Sequence, residues 1–388
     1  MERHHAHLAL DGAVERGDVG IAEEDLRVGA DNVEVHPIQH PRVECLFTVS
    51  EETGLDGARA VKKGFISGKT LINLDDEDEG YFCVGCAGGM DTVGTFSYKE
   101  RKLLPGAVTT RFTIGGGQGG HSGDDIDKGR INGVQQLARF LNEILPYHVD
   151  VCEMNAGNKR NAIARGGEAV VAIPARSEDA VVACFNDFAA RLKAEYAVTD
   201  PGLYFEAEPV RWTRGAIDRG TVRRVVRTLI AIPHGVTAMS ADIPGLIETS
   251  TNLASVKTEP DGTIRIGTMQ RSSVNSQRVF LSQRVAAVLS LAGAEVRHSD
   301  GYPGWKPNMH SHVKDVCVAS YKRLFGREPV VRAIHAGLEC GLFTEKFPDM
   351  DMIAFGPTLR GVHAPGERLD LASLDRFWAV LLDVLKNL

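Results

Sequence analysis

The sequence predicts an α/β protein in which one domain is interrupted by a second. Three observations point there. From residue 43 onward, short β-rich runs alternate with amphipathic helical stretches. Two of the strand-like runs end in acidic loops, which fits the placement of α/β sites at the carboxyl edge of a sheet. A glycine-dense segment, 115–123, then opens a stretch with its own order of elements before the first pattern returns near the C-terminus. The expected division is 1–90 and 296–388 for the outer domain, and 91–295 for the insert.

The elements follow in order. Val43–Ser50 is rich in β-formers and runs into Glu51-Glu52-Thr53-Gly54, and Thr70–Leu74 reads as a second strand ending in Asp75-Asp76-Glu77-Asp78-Glu79. After the glycine loop, Ile131, Val134, Leu137, Ala138 and Leu141 share one helical face. Glu168–Ile173 is a strand, and Ser177 is placed to cap a helix carrying Val181, Cys184, Phe185, Phe188 and Leu192. Thr263–Thr268 reads as a strand before a helix over Ser282–Leu291, giving a β-α-β-β-α-β-like order for the insert. A helix near His312–Leu324, a strand at Met350–Phe355 and a helix from Leu374 to Leu385 complete the outer domain. Residues 1–42 hold five of the 13 histidines and show no clean strand or helix period.

Composition narrows the function. Among 388 residues, 44 Lys+Arg against 51 Asp+Glu give a net charge of −7, which argues against a basic nucleic-acid or anionic-membrane surface. No apolar run approaches the ~20 residues needed to cross a bilayer. The start lacks the apolar stretch of a signal peptide, so a cytoplasmic protein is expected. Seven scattered cysteines do not form a disulfide framework. Cys83-Val84-Gly85-Cys86 has no second pair to complete a zinc site, and its glycines suggest a tight turn holding plain buried or loop cysteines.

Several residues could carry chemistry. On an extended segment, neighbouring Glu51 and Glu52 point opposite ways, so one can ligate a metal while the other faces substrate. Taken alone the pair is more often a solvated acidic loop, and Asp75 and His363 are equally bland as single loop residues. His121 sits among glycines in a loop with no phosphate-binding spacing. His335 and Glu339 lie between Gly337 and Gly341 or beside them, where the backbone can approach closely.

Their combination and order carry more than any one of them. Phe47-Thr48-Val49-Ser50-Glu51-Glu52-Thr53-Gly54, Leu71-Ile72-Asn73-Leu74-Asp75 and Gly85-Cys86-Ala87-Gly88-Gly89 come first. Gly119-Gly120-His121-Ser122-Gly123, Arg160-Asn161-Ala162-Ile163, Tyr302-Pro303-Gly304-Trp305 and the run from Ile334 to Phe343 follow, with the loop at His363. Across about 43–388 the chain resembles the aminoacyl-histidine (Xaa-His) dipeptidases of the M20 metallopeptidase family. The resemblance implies a zinc-exopeptidase-like catalytic domain with an inserted α+β lid or dimerisation domain, acting on small peptides and able to form a homodimer through the insert. It implies two divalent metal ions, zinc first and cobalt or manganese as alternatives. It implies Glu51 as general base, with Glu52, His363 and Asp75 as metal ligands. It also implies His121 as the lid group that meets the oxyanion, and Asn161, Arg271, His335 and Glu339 as substrate-binding residues.

The family pattern asks for two further ligands upstream. His7, in His5-Ala6-His7-Leu8-Ala9, and Asp31, in Gly29-Ala30-Asp31-Asn32, are the nearest matches, but the residues around them depart from the motifs. The expectation is that residues 1–42 are an aberrant N-terminus, from a wrong start codon or a frameshift. Two other readings stay open: a catalytically impaired relative without a complete metal site, and a related M20 amidohydrolase acting on N-acyl amino acids.

Overall fold

The computed structural model describes residues 20–22, 39–49, 55–362 and 366–388. The main strands in chain order are β1 (Thr70–Asn73), β2 (Tyr81–Cys86), β3 (Gly88–Ser97), β4 (Val108–Gly115), β5 (Asp150–Ala156), β6 (Gly167–Ile173) and β7 (Tyr204–Pro209). They continue with β8 (Gly235–Met239), β9 (Ile247–Thr258), β10 (Thr263–Ser272), β11 (Glu295–His298), β12 (Val330–Ile334) and β13 (Asp351–Ala354). The longer helices are α1 (Gly133–Ile144), α2 (Glu178–Glu195), α3 (Arg219–Ala231), α4 (Asn275–Leu291), α5 (His312–Phe325) and α6 (Leu371–Asn387). The chain divides into two units, one of residues 1–84, 308–332 and 342–388, the other of 85–307 and 333–341.

The first unit is built on a sheet in the order β12-β2-β13-β1, with β13 parallel to β1 and antiparallel to β2. Phe82 stands edge-on to Tyr321 and Phe355, with ring centroids 5.9 and 5.3 Å away, at the centre of a core that α5 and α6 close. Asp370 caps α6 by accepting the N–H groups of Ala372 and Ser373. Cys45–Phe47 pairs antiparallel with Gly20–Ala22, so the segment read as aperiodic does contribute a three-residue strand.

The second unit carries nine strands in one antiparallel sheet, ordered β7-β4-β6-β5-β9-β10-β3-β11, with β8 also paired to β9. Its core lies between this sheet and helices such as α1 and α2, where Phe112, Phe140 and Phe185 meet at 4.8–5.0 Å. Helix α1 starts where expected because the Asn132 side chain accepts the N–H groups of Val134 and Gln135. Val134, Leu137, Ala138 and Leu141 are all fully buried. Ser177 does occupy the N-cap position of α2, but its side chain makes no capping bond. The acidic Glu178 and Asp179 in the first turn favour that helix end instead.

Two expectations change. The insert holds more strands than the β-α-β-β-α-β-like order, because β3, β4, β5, β7, β8 and β9 were not legible as strands. Cys83-Val84-Gly85-Cys86 is part of β2 rather than a tight turn. Gly85, Gly88 and Gly89 answer a different need: a Cβ at each would come within 3 Å of Pro307, of the backbone at 302–304, or of the Tyr302 ring. Both cysteines are fully buried, and burial pushes the Cys86 thiol up to about 11, so it is a core group and not a thiolate.

Candidate active site

The second unit brings four of the sequence-singled residues into one neighbourhood. Ser250, Arg271 and Gly89 stand opposite one another across β9, β10 and β3, so their side-chain directions share one face of the sheet. Asn252, Met269 and Asp91 form the next such row. This face is polar although buried, with Ser250 and Arg271 only 0% and 3% exposed.

Arg271 spends each donor nitrogen on a neutral acceptor. Its Nε donates to Ser122 Oγ at 3.1 Å, Nη1 to Tyr302 Oη at 3.0 Å, and Nη2 meets His121 Nε2 at 3.2 Å. Among the described residues no carboxylate lies in ion-pair contact with it. Buried cations are normally paired with an anion, so this guanidinium is left ready for one. Tyr302 is held for its part by two glycines. A Cβ on Gly89 or Gly337 would come within 2.7 or 2.8 Å of its ring.

His121 arrives on the glycine loop after β4. The loop is fastened to the 160–163 turn through Ser122 N–H to the Asn161 carbonyl (2.8 Å) and Ile163 N–H to the Gly120 carbonyl (2.9 Å). Asn252 holds the same turn by donating from Nδ2 to the carbonyls of Arg160 and Ala162. Asp125 accepts the His121 backbone N–H at 2.8 Å. On the ring, Nδ1 lies 3.1 Å from Asp124 Oδ2. The His121 hydrogen bond holds the Asp124 carboxyl below the usual carboxylate range.

His335 is 4% exposed, with Nε2 at 2.7 Å from Ser250 Oγ. Burial, followed by the positive charge of Arg271, pushes its pKa down to about 4, so the ring is neutral at pH 7. Its carbonyl oxygen lies 2.1 Å from where a Cβ on Gly123 would stand, which makes glycine necessary there. Glu339 is half-buried and follows on the loop that enters Cys340–Lys346.

The expected metal ligands are distributed differently. Glu51, the proposed base, and Glu52, His363, His7 and Asp31 lie outside the described residues. Asp75 is described: it follows β1 in the first unit, exposed, with its N–H donated to Asn73 Oδ1 at 3.0 Å. Carboxylates and imidazole suit zinc as a donor set. Among the described residues, however, no three His, Cys, Asp or Glu gather to hold an ion. Its neighbour Asp76 is buried instead, bound to Arg332 at 2.7 Å, and burial raises its carboxyl pKa.

Reasoning from sequence missed Asp124, Ser250 and Tyr302 as parts of this neighbourhood. Asp124 had a readable signal, a carboxylate three residues after His121 in a glycine turn. Ser250 had none, because a serine in a polar strand announces nothing until its cross-strand neighbours are known.

No helix among the described residues is long and apolar enough to cross a membrane. The family model for peptidase family M20/M25/M40 matches residues 30–387. A cytosol non-specific dipeptidase from Escherichia coli (strain K12) is 34% identical over 352 residues, covering 90% of this chain and 72% of that protein. The crystal structure of an aminoacylhistidine dipeptidase from Vibrio alginolyticus superposes with a TM-score of 0.85 at 35% identity, again over 90% of this chain and 72% of that one. With its mixed α/β architecture and a family match across nearly its whole length, the chain belongs to peptidase family M20/M25/M40 and is a peptide hydrolase.

Proposed function

We propose that the protein hydrolyses dipeptides, Xaa-His dipeptides among them, with two divalent metal ions, zinc first and cobalt or manganese as alternatives. Glu52, Asp75 and His363 would hold the ions, completed by His7 and Asp31, with Glu51 as the base that takes the proton of the attacking water. When bound, such a pair of ions lowers the pKa of that water and polarises the scissile carbonyl. The reading is supported by the likeness to the two dipeptidases. The observation that carries it is the buried Arg271, whose three donor nitrogens meet neutral acceptors and which, among the described residues, has no carboxylate in ion-pair contact. A guanidinium so placed suits the free carboxylate of a short unblocked peptide. His121, in contact with it, is placed to meet charge developing on the carbonyl oxygen. Asn161, His335 and Glu339 would line the rest of the peptide site, and the second unit would supply the self-association surface. The location would be the cytosol, as the name of the Escherichia coli relative says of that protein.

The test is metal content by elemental analysis after dialysis against trace zinc, read beside a panel of Xaa-His dipeptides, other dipeptides and N-acyl amino acids. About two ions per chain and turnover of free dipeptides are expected. The alternative is an impaired relative without a complete metal site. Near-zero metal with no turnover would establish that alternative. Turnover confined to N-acyl amino acids would move the substrate class.

A further inference from the structure

We infer that Asp124 is a positioning residue for the reaction, holding the His121 ring in the tautomer that carries its proton on Nδ1. The inference rests on the reading of His121 as a group that meets substrate.

The argument begins on the far side of the ring. A guanidinium has only donors and no acceptor. With Arg271 Nη2 at 3.2 Å, His121 Nε2 must therefore present a lone pair. A second proton on the ring would set N–H against N–H and cation against cation. The single proton therefore belongs on Nδ1, where the acceptor in reach is Asp124 Oδ2 at 3.1 Å. The backbone N–H groups of Gly123 and Asp124 point at the same nitrogen from 3.3 Å and would be its donors in the opposite tautomer. The nearer carboxylate at 3.1 Å outweighs two such long contacts, and the Arg271 donor on Nε2 opposes that tautomer.

A turn residue would be the simpler role for Asp124, but its neighbour fills it. Asp125 Oδ2 takes the His121 backbone N–H, the Asp125 N–H returns to the His121 carbonyl at 3.1 Å, and Arg130 pairs with Asp125 at 3.2 Å. The two adjacent acids divide the work: Asp125 closes the backbone and Asp124 faces the ring. Asp124 is also 60% exposed and His121 31%. A pair so open contributes little to stability, so its effect is on which nitrogen of His121 is free to act. Once an anion draws Arg271 away, Nε2 is the nitrogen left facing the vacated position, with Asp124 behind it.

The test uses the full chain labelled with 15N-histidine, the His121 signals being assigned by their loss in His121→Gln. Long-range 1H–15N spectra of the wild type should show the Nδ1–H pattern for His121, and Asp124→Asn should lose it. Turnover of a Xaa-His dipeptide should fall at least about tenfold in kcat, with KM changed by less than about threefold. Asp124→Glu should restore the Nδ1–H pattern and part of kcat, and Asp127→Asn, an exposed acid on the same loop, should leave both unchanged. An Asp124→Asn protein that keeps the wild-type ring signals and kcat would overturn the inference. If Asp124→Asn does not fold, Asp124→Glu decides, and loss of the Nδ1–H pattern there counts against it. If the wild type turns over no dipeptide, the proposed function falls while the spectra still judge Asp124.

Discussion

Each unit sets an arginine within its fold, Arg332 half-buried and Arg271 buried, and the two are treated in opposite ways. In the first unit Arg332 reaches Asp76 at 2.7 Å and Asp78 at 3.1 Å and lies over the Tyr81 ring at 4.5 Å. Its charge is met within the fold. In the second unit Arg271 is more deeply buried and, among the described residues, hydrogen-bonds to a serine, a tyrosine and a histidine and to no carboxylate. An arginine neutralised by the chain's own carboxylates holds structure together, whereas one left with neutral acceptors is prepared for an anion from outside.

The contrast is broken or sharpened first by Arg332→Met. Removing that partner leaves Asp76, 4% exposed in its side chain, buried and unpaired. A loss of about 3 kcal/mol in denaturant unfolding is expected, and an unchanged midpoint would show the network to be ornamental. Arg271→Met should do the reverse. The expected result is a fall in kcat/KM of about a hundredfold for dipeptides with a free carboxylate, with a melting temperature equal to or above the wild type.

Acid should also separate the units. His335 and His234 are both held down at about 4, from an ordinary 6.5. Between those values the unfolded chain binds more protons than the folded one, so stability present above pH 6.5 is lost as pH falls toward 4. Each histidine should remove about 2 kcal/mol between pH 7 and pH 5, and His335→Gln should abolish its share of that slope in denaturant titrations. Asp76 works with the opposite sign. Burial raises its carboxyl, so its contribution is present at low pH and is lost as pH rises from about 3.8 upward. Smallest of all, Tyr302→Phe removes one acceptor from Arg271 and should cost about 1 kcal/mol of transition-state stabilisation, read as a less than tenfold fall in kcat/KM.

The sequence was most legible where burial follows a simple period. Helices α1, α2, α5 and α6 show an apolar face every three to four residues, and β6 is a near-continuous apolar run. It was least legible in β9, whose Thr249, Ser250, Thr251 and Asn252 are buried and polar. Hydrogen bonds from Asn252 to the 160–162 turn and between Ser250 and His335 make that burial tolerable, and no local pattern foretells them. His121 and Arg271 could be named in advance only because family resemblance supplied their roles. That they touch, and that Asp124 stands behind one of them, depends on a β3–β9–β10 register that spans nearly two hundred residues of chain.

The slot around Tyr302 has a consequence for how this sequence can vary. Gly89 and Gly337 carry no charge and no reactive group, yet a methyl group at either would press on the ring that steadies Arg271. In a saturation library selected for growth on dipeptides, both positions should be as empty of substitutions as the charged ones, and alanine should fare little better than tryptophan. The constraint is one of vacant space, so it would pass unnoticed by any search that ranks positions by reactive side chains.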